Sequence, residues 1–385
     1  MRSVGDIALD AEVRAIASGA ITDGAPVVVN SAGTVSGVTA ATAQALGSEV
    51  VFESAASKYS ATTFDSNSNR IVVAYQDEGN SNYGTAIVGT ISGTSISYGT
   101  AVVFESAEAN WVNATFDSSN NKVVITYQDA GNSNYGTAIV GTVDSSDNSI
   151  SYGSPTVFNS AATNQGKITF DSSNNKVVVA YNNGGDSGHG YAIVGTVSGT
   201  SISFGSAAEF ENAVISDPAI TFDTNTNQVI IAYRDEGNSN YGTAIVGTVS
   251  GTSISFGSPS VYHTVNASET AVTYDSNAQR IVVAYTNGGD SDNGYAVVGI
   301  VGTTEFDGFG TPVEFRNADQ RYNAIAFDSS VNKVVISFRE DDDSNKGKLV
   351  VGTVSGTSIS FGSPVEFNGG TTSFTNSTFD SFNNR

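Results

Sequence analysis

The sequence predicts an all-β chain of repeated four-stranded units, and three observations carry that expectation. An aromatic-Asp pair recurs at Phe64-Asp65, Phe116-Asp117, Phe170-Asp171, Phe222-Asp223, Tyr274-Asp275, Phe327-Asp328 and Phe379-Asp380, a period of about 52 residues. Each period contains four short β-type runs separated by Gly, Asn, Asp and Ser clusters. Nothing in the unit reads as helix.

The first 45 residues stand apart from the repeats. The stretch SGAITDGAPVVVNSAGTVSGV holds two strand-like runs, PVVVN and TVSGV, joined by the turn residues SAG. Residues 1–45 therefore read as a small N-terminal β attachment or leader module, with the Ala-rich TAATAQAL at 39–46 as connector. The repeat domain is expected over 46–385.

Spacing inside the repeat is stricter than its sequence. The aromatic that closes the second run always follows the anchor aromatic by 11 residues (Phe64 to Tyr75, Phe116 to Tyr127, Phe327 to Phe338). A further 14 residues reach a strand glycine, as at Gly89, Gly141 and Gly352, and a later turn glycine precedes the next anchor by 17, as from Gly99 to Phe116. Only the segment between the two glycines varies, where SGTS at 92–95 becomes DSSDNS at 144–149.

The four runs are A (ATFD), B (KVVVAY), C (TAIVGTV) and D (such as PVEF). Runs B and C are nearly continuous apolar stretches, as expected of strands covered on both faces, whereas A and D are shorter and more polar. Radial stacking of four-stranded blades covers both faces of every sheet, which favours a β-propeller over a sandwich. A β-solenoid is the main rival, but its coils are usually shorter. A D-like run, SEVVFES at 48–54, precedes the first A, and an A run, NSTFD at 376–380, follows the last D. The tally of seven A, six B, six C and seven D runs fits a seven-bladed ring lacking one B and one C. On that reading the chain is expected to stop about 25 to 30 residues short of closure; a six-bladed ring with spare strands and a longer array remain open.

Charge and composition narrow the function classes. A formal charge of -22 with only 16 Lys plus Arg repels phosphate backbones, so nucleic acid and anionic membranes are poor partners. No apolar run approaches the roughly 20 residues of a helical membrane span, so no membrane insertion is expected. There is no Cys, so stability is expected from packing and sheet hydrogen bonds. The N-terminus MRSVGDIALDAEVRA lacks the basic-then-apolar shape of a secretion signal, which makes release by lysis the expected route out of a cell.

Propeller strand order assigns the loops to faces: A-B and C-D turns on one, B-C and D-A connections on the other. The A-B turn, DSSNN or DSNSN, is expected to be a tight turn built on its Asp, with Asp65 and Asp117 as turn formers rather than ligands. The B-C turns carry oxygen-rich sets such as QDEGNSNYG at 76–84 and REDDDSNKG at 339–347. Calcium takes several oxygen ligands, so Asp77, Glu78, Asp129, Asp235, Glu236, Asp341, Asp342 and Asp343 are candidate metal ligands, although the register departs from the calcium-loop signature. The D-A connection has constant length, yet five residues before the anchor it shows Tyr59, Trp111, Gln165, Asp217, Glu269, Tyr322 and Phe374, preceded by residues such as Lys58 and Arg321. A fixed backbone displaying changing side chains is how scaffolds present a recognition surface. Tyr59, Trp111 and Tyr322 are expected to stack on sugar rings, with Lys58, Arg321 and Gln165 as polar contacts. Catalysis finds little support, because His189 and His263 lie in different repeats and neither has a nucleophile-base constellation. His189 reads as a loop substitution for the Tyr of NSNYG.

Two stretches carry a resemblance. The leader RAIASGAITDGAPVVVNSAGTVSGV resembles N-terminal segments of marine tailed-phage structural proteins of the cyanophage and pelagiphage kind. The run FDSNSNRIVVAYQDEGNSNYGTAIVGTISGTSISYG is similar to repeat arrays in virion proteins of such phages. The resemblance implies a non-enzymatic virion protein: a fibre, spike or capsid decoration that meets other virion proteins through residues 1–45 and a host-surface glycan through the propeller. It implies location on the virion, extracellular after lysis, and is compatible with a homo-oligomer. A cellular lectin or adhesin, and a polysaccharide-degrading propeller, are the alternative classes.

Overall fold

The computed structural model describes residues 27–29, 35–37 and 46–385, which fall in two units. In the first, Val27–Val29 pairs antiparallel with Val35–Gly37 in the register Val27 to Gly37, the hairpin expected from PVVVN and TVSGV. The remaining expectations for residues 1–45, including the attachment role and most of the connector, lie outside the described residues.

In the second unit each full repeat is an antiparallel sheet with strands in the order A-B-C-D. Blade one has A at Ser57–Asp65, B at Arg70–Asp77 and C at Tyr83–Ser92. The B strands of the next five blades are Lys122–Asp129, Lys176–Asn183, Gln228–Asp235, Arg280–Asn287 and Lys333–Glu340. Runs B and C are buried on both faces because blades stack on blades. Val72, Ala74, Ala86 and Val88 of blade one pack against Val123, Ile125, Tyr127 and Ile139 of blade two. Each buried Val or Ile side chain among these contributes about 1.5–3 kcal/mol relative to exposure.

Two details depart from the sequence reading. The outermost position is shared by two segments: Ser95–Tyr98 pairs with the far half of strand C, and the run beginning at Val102 pairs with the near half. A ten-residue C strand is too long for the short D run alone, and the SYG or SFG turn lets the chain step back onto it. That turn needs glycine, since a Cβ on Gly205 would overlap the Thr252 carbonyl oxygen of the next blade. Second, the expected D-A loop is a strand. Val102–Asp117, Thr156–Asp171, Ala208–Asp223 and Ser260–Asp275 each run 16 residues, outermost in one blade and innermost in the next. Between blades five and six the same span is divided into Val313–Arg316 and Gln320–Asp328.

The aromatic closing strand B sits at the heart of each interface. Tyr75, Tyr127, Tyr181, Tyr233, Tyr285 and Phe338 are fully buried. Tyr127 donates its hydroxyl to Glu105 at 3.0 Å, Tyr233 to Glu211 at 2.9 Å and Tyr75 to Glu53 at 3.3 Å, each carboxylate coming from the D run that precedes that blade. Phe52 lies 5.1 Å from Tyr75 as Phe104 lies 5.3 Å from Tyr127. The run 48–54 thus takes the outer position of a further blade. The segment 374–380 takes the matching inner position: Ser60 Oγ donates to the Phe374 carbonyl at 2.8 Å, and Asn376 Oδ1 accepts from Thr62 N at 3.1 Å, as Asn113 Oδ1 does from Ile168 N. No described residue fills the B and C positions between them, so the array is six complete sheets plus the inner and outer runs of another.

The A-B turns are as expected. Asp117, 1% exposed, accepts from Ser119 N at 2.9 Å and Asn120 N at 3.0 Å, and the same pattern recurs from Asp65 to Asp380.

Candidate functional site

The second half of each 16-residue strand begins with an irregularity. Pairing of strand A with strand B slips between Asn110 and Asn113, between Asn164 and Lys167, and at the matching place in every blade. The cause is a residue in left-handed conformation, which a non-glycine side chain adopts only when its surroundings hold it there. These residues are Tyr59, Trp111, Gln165, Asp217, Glu269, Tyr322 and Phe374, with φ of 49, 52, 52, 50, 51, 57 and 54°. Amides at the end of strand B hold the preceding residues across the interface: Gln76 Nε2 donates to Ala109 O at 3.1 Å and Asn110 Oδ1 at 2.8 Å, and Gln128 Nε2 to Thr163 O at 2.9 Å and Asn164 Oδ1 at 3.0 Å.

All seven side chains converge on one mouth of the central channel, around a cavity of about 460 Å3. They divide into two arcs. Trp111, Tyr59, Phe374 and Tyr322 form a continuous aromatic wall, with successive ring centroids 4.7, 5.1 and 4.9 Å apart. Arg339 lies 4.7 Å from the Tyr322 ring centroid, a cation-π contact. Gln165, Asp217 and Glu269 form the polar arc, in which each side chain accepts the backbone N-H of the next ring residue. Asp217 N donates to Gln165 Oε1 at 2.9 Å, Glu269 N to Asp217 Oδ2 at 3.2 Å and Tyr322 N to Glu269 Oε2 at 3.3 Å. Burial, with the Asp217 charge beside it, raises the Glu269 carboxyl above its ordinary value. Lys167 lines the same cavity; burial lowers its pKa against the pull of Asp217 and Glu269.

The structure brings together Tyr59, Trp111, Tyr322 and Gln165 from the sequence-derived set. Lys58 and Arg321 are instead tied down in ion pairs, Lys58 with Glu78 and Arg321 with Asp341 at 3.1 Å and Asp292 at 3.6 Å. The proposed calcium ligands do not converge, because each turn consumes its own carboxylates. Asp77, Asp129 and Asp235 cap their turns by accepting from Asn80 N, Asn132 N and Asn238 N at 3.1, 3.1 and 3.0 Å. Glu236 pairs with Arg234, Asp341 with Arg339, and Asp343 with Lys346 and Lys348, while Asp342 accepts from Asp319 N at 3.1 Å. Sequence reasoning left Asp217, Glu269, Phe374 and Lys167 out of the site. The first three stood in the same positional series as Trp111, so the signal was present; Lys167, two residues beyond Gln165, carried none.

No family model matches the chain, and no curated protein matches it. Solved structures do resemble it. They include the periplasmic gluconolactonase of Pseudomonas aeruginosa (TM-score 0.57, 12% identity, 81% of this chain and 86% of that one) and a lectin of Burkholderia pseudomallei (0.56, 14%, 83% and 88%). A protein from Lactobacillus plantarum also aligns (0.56, 11%, 91% and 94%). The fold is a β-propeller. Identities this low show the fold alone.

Proposed function

We propose that this propeller is a non-enzymatic recognition module of a phage particle, a fibre, spike or capsid decoration that binds host-surface glycan at the channel mouth. The observation that carries the reading is the ring: seven positions of one strained backbone geometry bear Tyr, Trp, Gln, Asp, Glu, Tyr and Phe. A position whose backbone is copied in every repeat while its side chain changes is not serving the fold alone. An aromatic wall facing hydrogen-bond acceptors suits a pyranose, which offers C-H bonds on one face and hydroxyls around its rim. The phage context rests on the leader and repeat resemblance, with residues 1–45 as the contact to other virion proteins.

The test is a glycan array probed with the intact chain and with Trp111→Ala. Loss of a hot-spot aromatic should weaken binding about 30-fold. Unchanged binding with an intact melting curve would remove the aromatic wall from the reading. Mass spectrometry of purified particles beside particle-free supernatant tests the virion role, which recovery only as free protein would overturn. A second reading, glycoside hydrolysis, draws on the raised Glu269 carboxyl beside Asp217, the pattern of an acid paired with a carboxylate. Product formation abolished by Glu269→Gln would favour it.

A further inference from the structure

Away from the channel, three side chains of the third blade approach one another as they do nowhere else among the described residues. His189 Nδ1 lies 2.9 Å from Glu209 Oε1 and 3.7 Å from Asp186 Oδ2, and one ligand atom from each residue falls within 4.8 Å of the others. Asp186 belongs to the B-C turn, His189 opens strand C, and Glu209 comes from the outer strand paired to it. Tyr191 donates its hydroxyl to Asp186 Oδ2 at 2.6 Å and so fixes that carboxylate.

The repeats supply internal comparisons. At the matching positions blades one, two and four carry Asn, Tyr and Val (Asn80, Tyr83 and Val103 in the first). Blade six has Asp343, Lys346 and Glu366, and there the Lys346 ammonium sits between the two carboxylates, 3.3 Å from Asp343 and 3.1 Å from Glu366. The same carboxylate pair therefore already holds a cation in a sister blade. Blade five keeps both carboxylates, Asp290 and Glu314, with Asn293 between them. In blade three the central residue is an imidazole, whose ring nitrogen is able to coordinate a metal ion as the Lys346 ammonium is not.

We propose that Asp186, His189 and Glu209 form a binding site for a zinc-class divalent cation. Tetrahedral zinc with nitrogen and oxygen ligands at about 2.0–2.2 Å sets ligand-ligand separations of roughly 3.3–3.5 Å, which the 2.9 and 3.7 Å spacings bracket. Imidazole favours zinc and its neighbours over calcium, which takes oxygen alone. Three protein ligands leave one position for water. Tyr191 is a positioning residue, orienting Asp186 from outside the coordination sphere. The bound cation would tie the third B-C turn to the outer strand of its blade.

The experiment is a zinc titration of the metal-stripped full chain by calorimetry, repeated on His189→Asn, Tyr191→Phe and Glu314→Gln. The intact chain should bind one equivalent of zinc and melt at a higher temperature with it. His189→Asn, which copies blade five and so keeps a fold-compatible side chain, should abolish that step. Tyr191→Phe should weaken it about tenfold, and Glu314→Gln should leave it unchanged. Absence of a saturable step, zinc binding within twofold of the intact chain in His189→Asn, or equal affinity for calcium would each overturn the proposal.

Discussion

Replacing Asp117 by Ala tests how far the A-B turns hold the blades. The Asp117 carboxylate is 1% exposed and accepts four hydrogen bonds: Ser119 N at 2.9 Å, Ser119 Oγ at 2.6 Å, Asn120 N at 3.0 Å and Asn120 Nδ2 at 2.9 Å. Ser119 is exposed and Asn120 half-buried, so the donors regain water after truncation and the loss is the net value of the bonds rather than their full desolvation cost. Hydrogen bonds to a charged acceptor contribute about 1.5–3 kcal/mol net of their exchange with water, and caps of similar geometry about 1–2 kcal/mol. We therefore expect a loss of about 3 kcal/mol for Asp117→Ala. Asp328 provides the control. It is less buried and accepts from Ser330 N at 2.9 Å, Ser330 Oγ at 2.6 Å and, at a long 3.4 Å, Val331 N. Asp328→Ala should cost about 1 kcal/mol on the same grounds. Paired urea melts followed by tyrosine fluorescence would measure both. Equal losses, or a loss under about 0.5 kcal/mol for Asp117→Ala, would refute the argument that buried turn carboxylates hold the repeat.

Two further outcomes follow from the packing and the channel. Gly205→Ala drives a methyl group into the backbone carbonyl of Thr252 and should cost about 3 kcal/mol, whereas Gly199→Ala, with φ +60° and open space around it, should cost about 1 kcal/mol; calorimetric melting that ranks them in the other order would contradict the interface reading. Because the folded state raises the Glu269 carboxyl above its reference of 4.5, protonated Glu269 favours the folded state, and that contribution fades as pH rises through the folded value. Glu269→Gln should therefore gain stability relative to the parent as pH rises above 4.5, and a pH-independent difference in melting temperature would rule this out.

Much of the architecture was legible because repetition makes each residue's role visible several times over. Seven aromatic-Asp pairs, the 11- and 14-residue spacings and the apolar B and C runs encode local turns and two-sided burial, which depend on neighbours in sequence and on the next copy of the same unit. The ring of changing residues from Tyr59 to Phe374 was legible for the same reason. What it surrounds was not: in sequence these positions read as an exposed loop, and only the closing of the blades turns them inward, sets Phe374 against Tyr59 across the full length of the array, and puts Lys167 beside Asp217 and Glu269. The fate of the acidic turns likewise needed the structure, since Asp77 and Lys58 meet their partners through a backbone turn and a neighbouring strand. His189 shows the division most plainly. By sequence it replaces a tyrosine in one loop; its approach to Glu209, 20 residues away, exists only because strand C and the outer strand pair in register. The sequence by itself determined the B and C strands, the A-B turns and the repeat plan, because those rest on short-range periodicity; the tertiary structure decided that the D-A connection is one long strand and which side chains share a site, because that rests on how the blades pack around one axis.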